Sequence, residues 1–268
     1  MKKILLLLLC STMAVFITFG VTFAVPSSSS MDGSFDTTTE WAGLYSDGDG
    51  IVGPGVGGQA YDVEYLGLYV DMNYAYFGLQ TGFDLSDGVG PASQYYTAGD
   101  IALSTGGGVY NFGIRINNGS DWGVDTGTGN VTYELWQVGE WNHVAVNAHQ
   151  TISDPFTINT AAPGSNLLAR WNQASAYSTF TTLSGGSEDG SGGDSYVIEG
   201  AFALSGSDIG GSWSFGTIEE IHWTMGCGND YLVTEFEPSN VPEPANMILL
   251  GTGLLGLVGI GRKRLFKN

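Results

Sequence analysis

Positive charge is almost missing from the working part of this chain. Lys2, Lys3, Arg262, Lys263, Arg264 and Lys267 sit at the two ends, which leaves Arg115 and Arg170 for everything between. Of the 27 acidic residues, all but Glu243 lie in that same middle stretch. So acidic a body repels nucleic acid, anionic lipid and acidic polymers, stays soluble outside a cell and attracts divalent cations. Cysteine is equally scarce. Cys10 lies in the N-terminal apolar run, where Leu9 directly before it argues against a lipoprotein signal, and Cys227 is then the only thiol left. No internal disulfide can form, and a buried, inert thiol is the expectation. The three histidines, His143, His149 and His222, fall at spacings that match no metal motif. There is no G-x-S-x-G turn for a serine nucleophile. The E-x-D-x-x-E pattern of sandwich-fold glycosidases is also absent. Catalysis has no anchor, so the chain reads as a non-enzyme; a glycan-active enzyme built on paired carboxylates or a His-centred cluster is the third-ranked reading.

Long apolar runs are confined to the termini. Met1-Lys2-Lys3 followed by the apolar stretch 4–23 and by Thr22-Phe23-Ala24 has the three parts of a secretory signal peptide over residues 1–24, with cleavage by signal peptidase after Ala24. Residues 25–31 form a flexible lead-in. At the other end Val241-Pro242-Glu243-Pro244 precedes a glycine-studded apolar run, 245–261, and then Arg262-Lys263-Arg264. At about 1.5 Å per residue that run gives roughly 26 Å of helix, enough for one short transmembrane span. The basic residues hold its end in the cytoplasm. Pro242 and Pro244 keep the segment before it extended and accessible.

The order and spacing of VPEP, apolar run and RKR resemble the PEP-CTERM sorting tail of exported proteins of Gram-negative bacteria. The resemblance implies that an exosortase, a membrane-embedded cysteine transpeptidase, recognises Pro242-Glu243-Pro244 and removes the segment behind it. The precursor would then be tethered in the inner membrane through residues 241–268 alone, and the mature chain delivered to the cell surface or extracellular matrix. An ordinary single-span anchor that is never cut is the plainer reading.

Between the signals, residues 32–234 are expected to form one domain, joined to the tail by a stalk at 235–240. Glycine is abundant, 42 residues in all, and clusters between short runs of alternating or β-branched and aromatic character. Such runs include 61–70, 74–80, 101–104, 110–116, 195–204 and 231–234. The runs 131–138 and 141–146 read as a pair joined through Gly139, and 213–225 as one long strand. Nine to eleven strands with turns between them predict an all-β, two-sheet antiparallel β-sandwich, jelly-roll-like. Residues 161–182 are the one place expected to hold a short helix.

Asp32-Gly33, Glu40-Trp41, the strand 74–79, Gly99-Asp100-Ile101-Ala102-Leu103 and SYVIEGAFAL at 195–204, with Glu199 in its acidic slot, resemble the family 9 carbohydrate-binding-module-like and DOMON-like sandwiches. That likeness implies a sandwich and, more weakly, glycan recognition; the stacking tryptophans of the family have no counterparts placed residue by residue. The seven tryptophans and 13 tyrosines would stack on sugars if exposed on one sheet, but most are expected in the core. Asp47 and Asp49, and Asp84 and Asp87, place carboxylates on glycine turns that suit Ca²⁺, although no closing bidentate Glu follows either pair. The leading reading is a secreted, exosortase-processed surface or matrix protein, associated with biofilm exopolysaccharide and non-catalytic. A carbohydrate-binding module with Ca-dependent glycan recognition is the alternative.

Overall fold

Tyr65, Gly67 and Tyr69 alternate with Leu66, Leu68 and Val70, and the computed structural model turns this alternation into a strand with two different faces. The structure describes residue 26 and residues 31–48, 58–85, 88–89, 96–117, 132–144, 153–172, 178–184 and 193–236. Met1–Glu235 forms one compact unit; of a second, Phe236–Asn268, only Phe236 is described. The predicted signal helix, Ala24 and the C-terminal span lie outside the described residues.

Strands are numbered in chain order. A five-stranded antiparallel sheet runs β1 (Tyr45–Asp47), β2 (Val63–Val70), β3 (Tyr74–Thr81), β11 (Ser195–Ala203), β10 (Ser178–Leu183). A six-stranded sheet runs β15 (Tyr231–Glu235), β14 (Glu220–Thr224), β4 (Ile101–Ser104), β5 (Phe112–Asn117), β6 (Thr132–Gln137), β9 (Asn166–Asn172). Two ribbons complete the fold: β7 (Trp141–Asn142) with β8 (Thr157–Ile158), and β12 (Ser205–Asp208) with β13 (Gly211–Ser214). Among the described residues there is no α-helix, and none long and apolar enough to cross a membrane.

The two large sheets face each other across an apolar layer. Leu66, Leu68, Phe77, Leu79 and Ile198 from the first meet Ile101, Leu103, Ile114, Leu135, Ile221 and Trp223 from the second, all essentially inaccessible to water. Phe77 packs edge-on to Tyr133 at 6.3 Å and Phe83 to Trp223 at 6.4 Å. Polar clasps bind the sheets at their margins: the Tyr133 hydroxyl donates to the Thr179 carbonyl at 2.8 Å, and Thr234 Oγ1 donates to the Leu66 carbonyl.

Both sheets are covered on their outer faces as well. Residues directly opposite in antiparallel strands share a face. One such row crosses the first sheet as Tyr45, Gly67, Gly78, Glu199 and Thr179. The two glycines leave a slot for the Trp41 indole, so close that a Cβ on Gly67 would lie 2.4 Å from the ring and one on Gly78 2.8 Å. Phe35 stacks on Trp41 at 5.2 Å and on Tyr65 at 5.3 Å, which pins the N-terminal segment over the sheet.

Three expectations need correcting. Within 161–182 the described residues form β9 and β10 rather than a helix, because sheet pairing overrides the local Leu-Leu-Ala-Arg preference. There Arg170 meets Glu134, and Trp171 stacks on Tyr133 at 5.7 Å. The segment at Trp141 pairs not with β6 but with β8, while β6 takes β5 and β9 as partners. Its indole lies instead against Gly113, where a Cβ would stand 2.6 Å away, and donates to the Tyr110 carbonyl at 2.7 Å. The run 213–225 divides into β13 and β14, and the described strands number fifteen because several have only two to four residues.

Gly78→Ala tests the indole slot. A Cβ there must displace Trp41 and Phe35, the latter 2.7 Å away, and overpacking of this kind costs about 1–3 kcal/mol. Urea denaturation is expected to show a lower midpoint with an unchanged slope; a midpoint equal to that of the unsubstituted protein would mean that the ring does not occupy the slot.

Candidate functional site

Glu199 is the point on which the N-terminal motif residues converge. It is fully buried on the outer face of the five-stranded sheet. Its Oε1 accepts the Trp41 Nε1–H at 2.9 Å, and its Oε2 accepts the Gly33 backbone N–H at 2.9 Å. Gly33 and Trp41, close together in the chain, and Glu199, distant from both, therefore form one latch. Burial pushes the carboxyl up to about 7, against the opposing pull of the two N–H donors.

Asp100 plays the equivalent part on the six-stranded sheet. Its backbone N–H donates to the Phe156 carbonyl at 2.9 Å, and its Oδ2 accepts the Ile158 N–H at 2.8 Å. Both contacts hold the β8 segment down. Burial raises this carboxyl to about 7 too, with Arg115 working against the shift. Two carboxylates with raised pKa are the usual mark of acid–base chemistry. Here they sit on the outer faces of different sheets, each beneath a covering segment, so they do not flank a common substrate position.

A third buried carboxylate stands beside both arginines of the body. Glu134 lies directly between Arg115 and Arg170 in the strand register. Its Oε1 accepts Nε–H and Nη2–H from Arg170, the first at 2.9 Å, and its Oε2 accepts the Trp136 Nε1–H at 3.1 Å. Glu64, also fully buried, takes neutral donors alone among its described bonds: the Gln59 and Gln80 amides and the Ser195 hydroxyl, the last at 2.6 Å. None of these arrangements was legible in the sequence except through the single clue that two arginines serve so many acids.

The remaining candidates are structural or partly outside the described residues. His222 is buried between Tyr110 and Tyr231, with ring centroids 5.5 and 5.8 Å away, and burial lowers its pKa to about 4, so it is neutral at physiological pH. His143 accompanies Asp154 at the surface at 2.9 Å, while His149 lies outside the described residues. Cys227 is buried and its thiol is pushed up by burial, which keeps it protonated. Of the calcium candidates, Asp47 is the end of β1 and Asp84 the turn after β3, whose carbonyl accepts the Gly88 N–H at 2.8 Å. Asp49 and Asp87 lie outside the described residues. Among the described residues, no group of three or more His, Cys, Asp or Glu is placed to hold a metal.

Aromatics do gather at one opening. Trp41 and Trp223 are core, as expected, but Trp136, Trp141, Trp171 and Trp213 are only half-buried, and Trp122 lies outside the described residues. Trp171 and Trp213, with Tyr74 and Arg170, line a cleft of about 190 Å³ at the margin of the sandwich.

The fold and these sites define an acidic all-β body in which buried Glu199, Asp100 and Glu134 hold strands and covering segments together. Beyond the body, a family model for the PEP-CTERM protein-sorting motif matches residues 240–264. The chain thus carries the signal of an exported protein that exosortase sorts to the cell surface. No curated protein and no solved structure matches the chain. The β-sandwich is consistent with the likeness to family 9 carbohydrate-binding modules and DOMON-like domains, which no comparison supports. The sorting residues Val241, Pro242, Glu243, Pro244, Arg262, Lys263 and Arg264 fall within the match and outside the described structure.

The raised carboxyls fix a pH dependence. In the folded state Glu199 and Asp100 titrate near 7, whereas in the unfolded chain they titrate near 4. Between those values the folded state holds more protons, so stability falls as pH rises through the window. Each group accounts for on the order of 3 kcal/mol between pH 4 and pH 8. Thermal melting is expected to be highest near pH 4–5, and in the Glu199→Gln/Asp100→Asn double variant the pH slope should flatten markedly. A variant profile as steep as that of the unsubstituted protein would assign the slope to general charge repulsion instead.

Proposed function

We propose that this protein is a non-catalytic component of the bacterial cell surface or extracellular matrix, exported as a tethered precursor and released from its C-terminal span by exosortase. Its place is within biofilm exopolysaccharide, and its sandwich displays, binds or helps build that matrix. The sorting motif at 240–264 carries the first half of this reading. The use made of ionisable groups supports the non-catalytic reading. Glu199 and Asp100 hold covering segments, Glu134 anchors Arg170, and His222 is sealed between tyrosines, which leaves them unavailable to a substrate.

Replacing Pro242, Glu243 and Pro244 by alanines tests the sorting half. The precursor is expected to accumulate in the inner-membrane fraction at the apparent mass of the uncut tail, with the surface fraction depleted. Unchanged mass and unchanged surface delivery would instead identify the tail as a plain anchor.

A further inference from the structure

Glu64 is the extra residue of a β-bulge in β2: its neighbours Val63 and Tyr65 pair with the consecutive residues Thr81 and Gln80. A bulge re-aims a side chain, and this one turns Glu64 into a small, dry polar cluster. Glu64 and Ser195 are both inaccessible to water, and the Ser195 hydroxyl donates to Glu64 Oε1 at 2.6 Å. The Gln59 amide donates to that same oxygen, so the hydroxyl and the amide are neighbours. Gln80 donates to Oε2 and fixes the carboxylate from its other side. All three partners are donors, which suits the acceptor-only oxygens of a carboxylate. Gln59 has little room to turn away. Its side chain runs between two glycines: a Cβ on Gly82 would lie 2.6 Å from Nε2, and one on Gly193 2.4 Å from Cγ. Its Oε1 is buried and has no hydrogen-bond partner among the described residues.

We propose that Ser195 and Gln59 react to form an intramolecular ester, with Glu64 as the general base. The arrangement is that of an activated nucleophile: a hydroxyl on its base, the base oriented by a third group, and a carbonyl carbon beside the hydroxyl. Glu64 takes the Ser195 proton as Oγ attacks Gln59 Cδ; a C–O bond forms and the carbonyl electron pair moves onto Oε1. The carbonyl then re-forms, the Cδ–Nε2 bond breaks, and the proton passes from Glu64 to the leaving nitrogen, which departs as ammonia. Glu64 is regenerated and no co-reactant is consumed. Dilution of ammonia into the solvent drives the exchange, and the exclusion of water from Glu64 and Ser195 protects the ester from hydrolysis. An amide oxygen buried without a partner is costly, and an ester carbonyl, being a weaker acceptor, relieves part of that cost. A missing oxyanion donor slows acyl transfer by about 10²–10³-fold. A reaction that happens once per molecule tolerates that loss. The bond ties the turn Gln59–Tyr61 to the start of β11, in a body whose single cysteine allows no internal disulfide. Joining segments so distant in sequence restricts the unfolded chain as a disulfide does.

The test is peptic digestion of the full chain followed by mass spectrometry. A linked pair of peptides, one holding Gln59 and the other Ser195, is expected at their summed mass less about 17 Da, the mass of the ammonia released. Alkaline hydroxylamine, which cleaves esters and spares amides, should separate the two. Ser195→Ala and Glu64→Gln should each abolish the link, with circular dichroism to establish that the variant chain folds. Gln59 and Ser195 recovered only in separate peptides of undiminished mass overturn the proposal, and this readout on the unsubstituted protein needs no variant. A link that survives Ser195→Ala, or that maps to Gln80, overturns it too. None of these outcomes bears on the sorting reading, which is scored by the uncut tail and by location.

Discussion

A body with two arginines has to satisfy its buried carboxylates largely with neutral donors, and much of the architecture depends on that constraint. Both guanidinium groups stand beside one acid, Glu134, in adjacent strands of the six-stranded sheet. Glu199 therefore draws on an indole and a backbone N–H, Asp100 on the N–H of Ile158, and Glu64 on two amides and a hydroxyl. A neutral donor stabilises a buried anion less than a salt bridge does, and the carboxyls of Glu199 and Asp100 accordingly rise to about 7. What the molecule gains is connection. Each of these two acids reaches from a sheet to a segment distant in sequence and holds it against the outer face.

That arrangement explains why the sandwich has no bare sheet face at its centre. Trp41 brings the N-terminal segment over the Gly67–Gly78 pair, and Trp141 brings the β7–β8 ribbon over Gly113. In both cases a tryptophan lies where a glycine has removed the side chain beneath it, and in both the indole N–H finds an acceptor, Glu199 Oε1 or the Tyr110 carbonyl. The abundance of glycine thus serves packing as well as turns.

How far this was legible varies with the range of the interaction. Strands such as β2, β3, β5 and β11 announce themselves by alternation because their periodicity is local. The meeting of Gly33, Trp41 and Glu199 depends on which strand lies next to β3, and alternation carries no such information. The helix expected within 161–182 failed for the same reason: Leu167, Leu168 and Ala169 favour a helix locally, but Trp171 and Arg170 find partners only across β6. The Arg115–Glu134–Arg170 ladder depends on the registers of three strands at once and left no local trace. Cys227 was easier, since burial is the default for a lone thiol, and it is buried in the turn after β14.

The sorting tail and the sandwich answer different physical demands, which is why one says so little about the other. The tail needs only an extended, proline-marked recognition segment, an apolar run of membrane length and a basic stop, and any exported body satisfies it. The body needs to remain folded outside the cell without disulfides, and it does so by covering both sheets, with Glu199 and Asp100 holding the covers. One region escapes that logic. Half-buried Trp171 and Trp213 line a cleft beside an exposed Arg170. Their partial exposure sets them apart from Trp41 and Trp223, which the covers and the core bury completely.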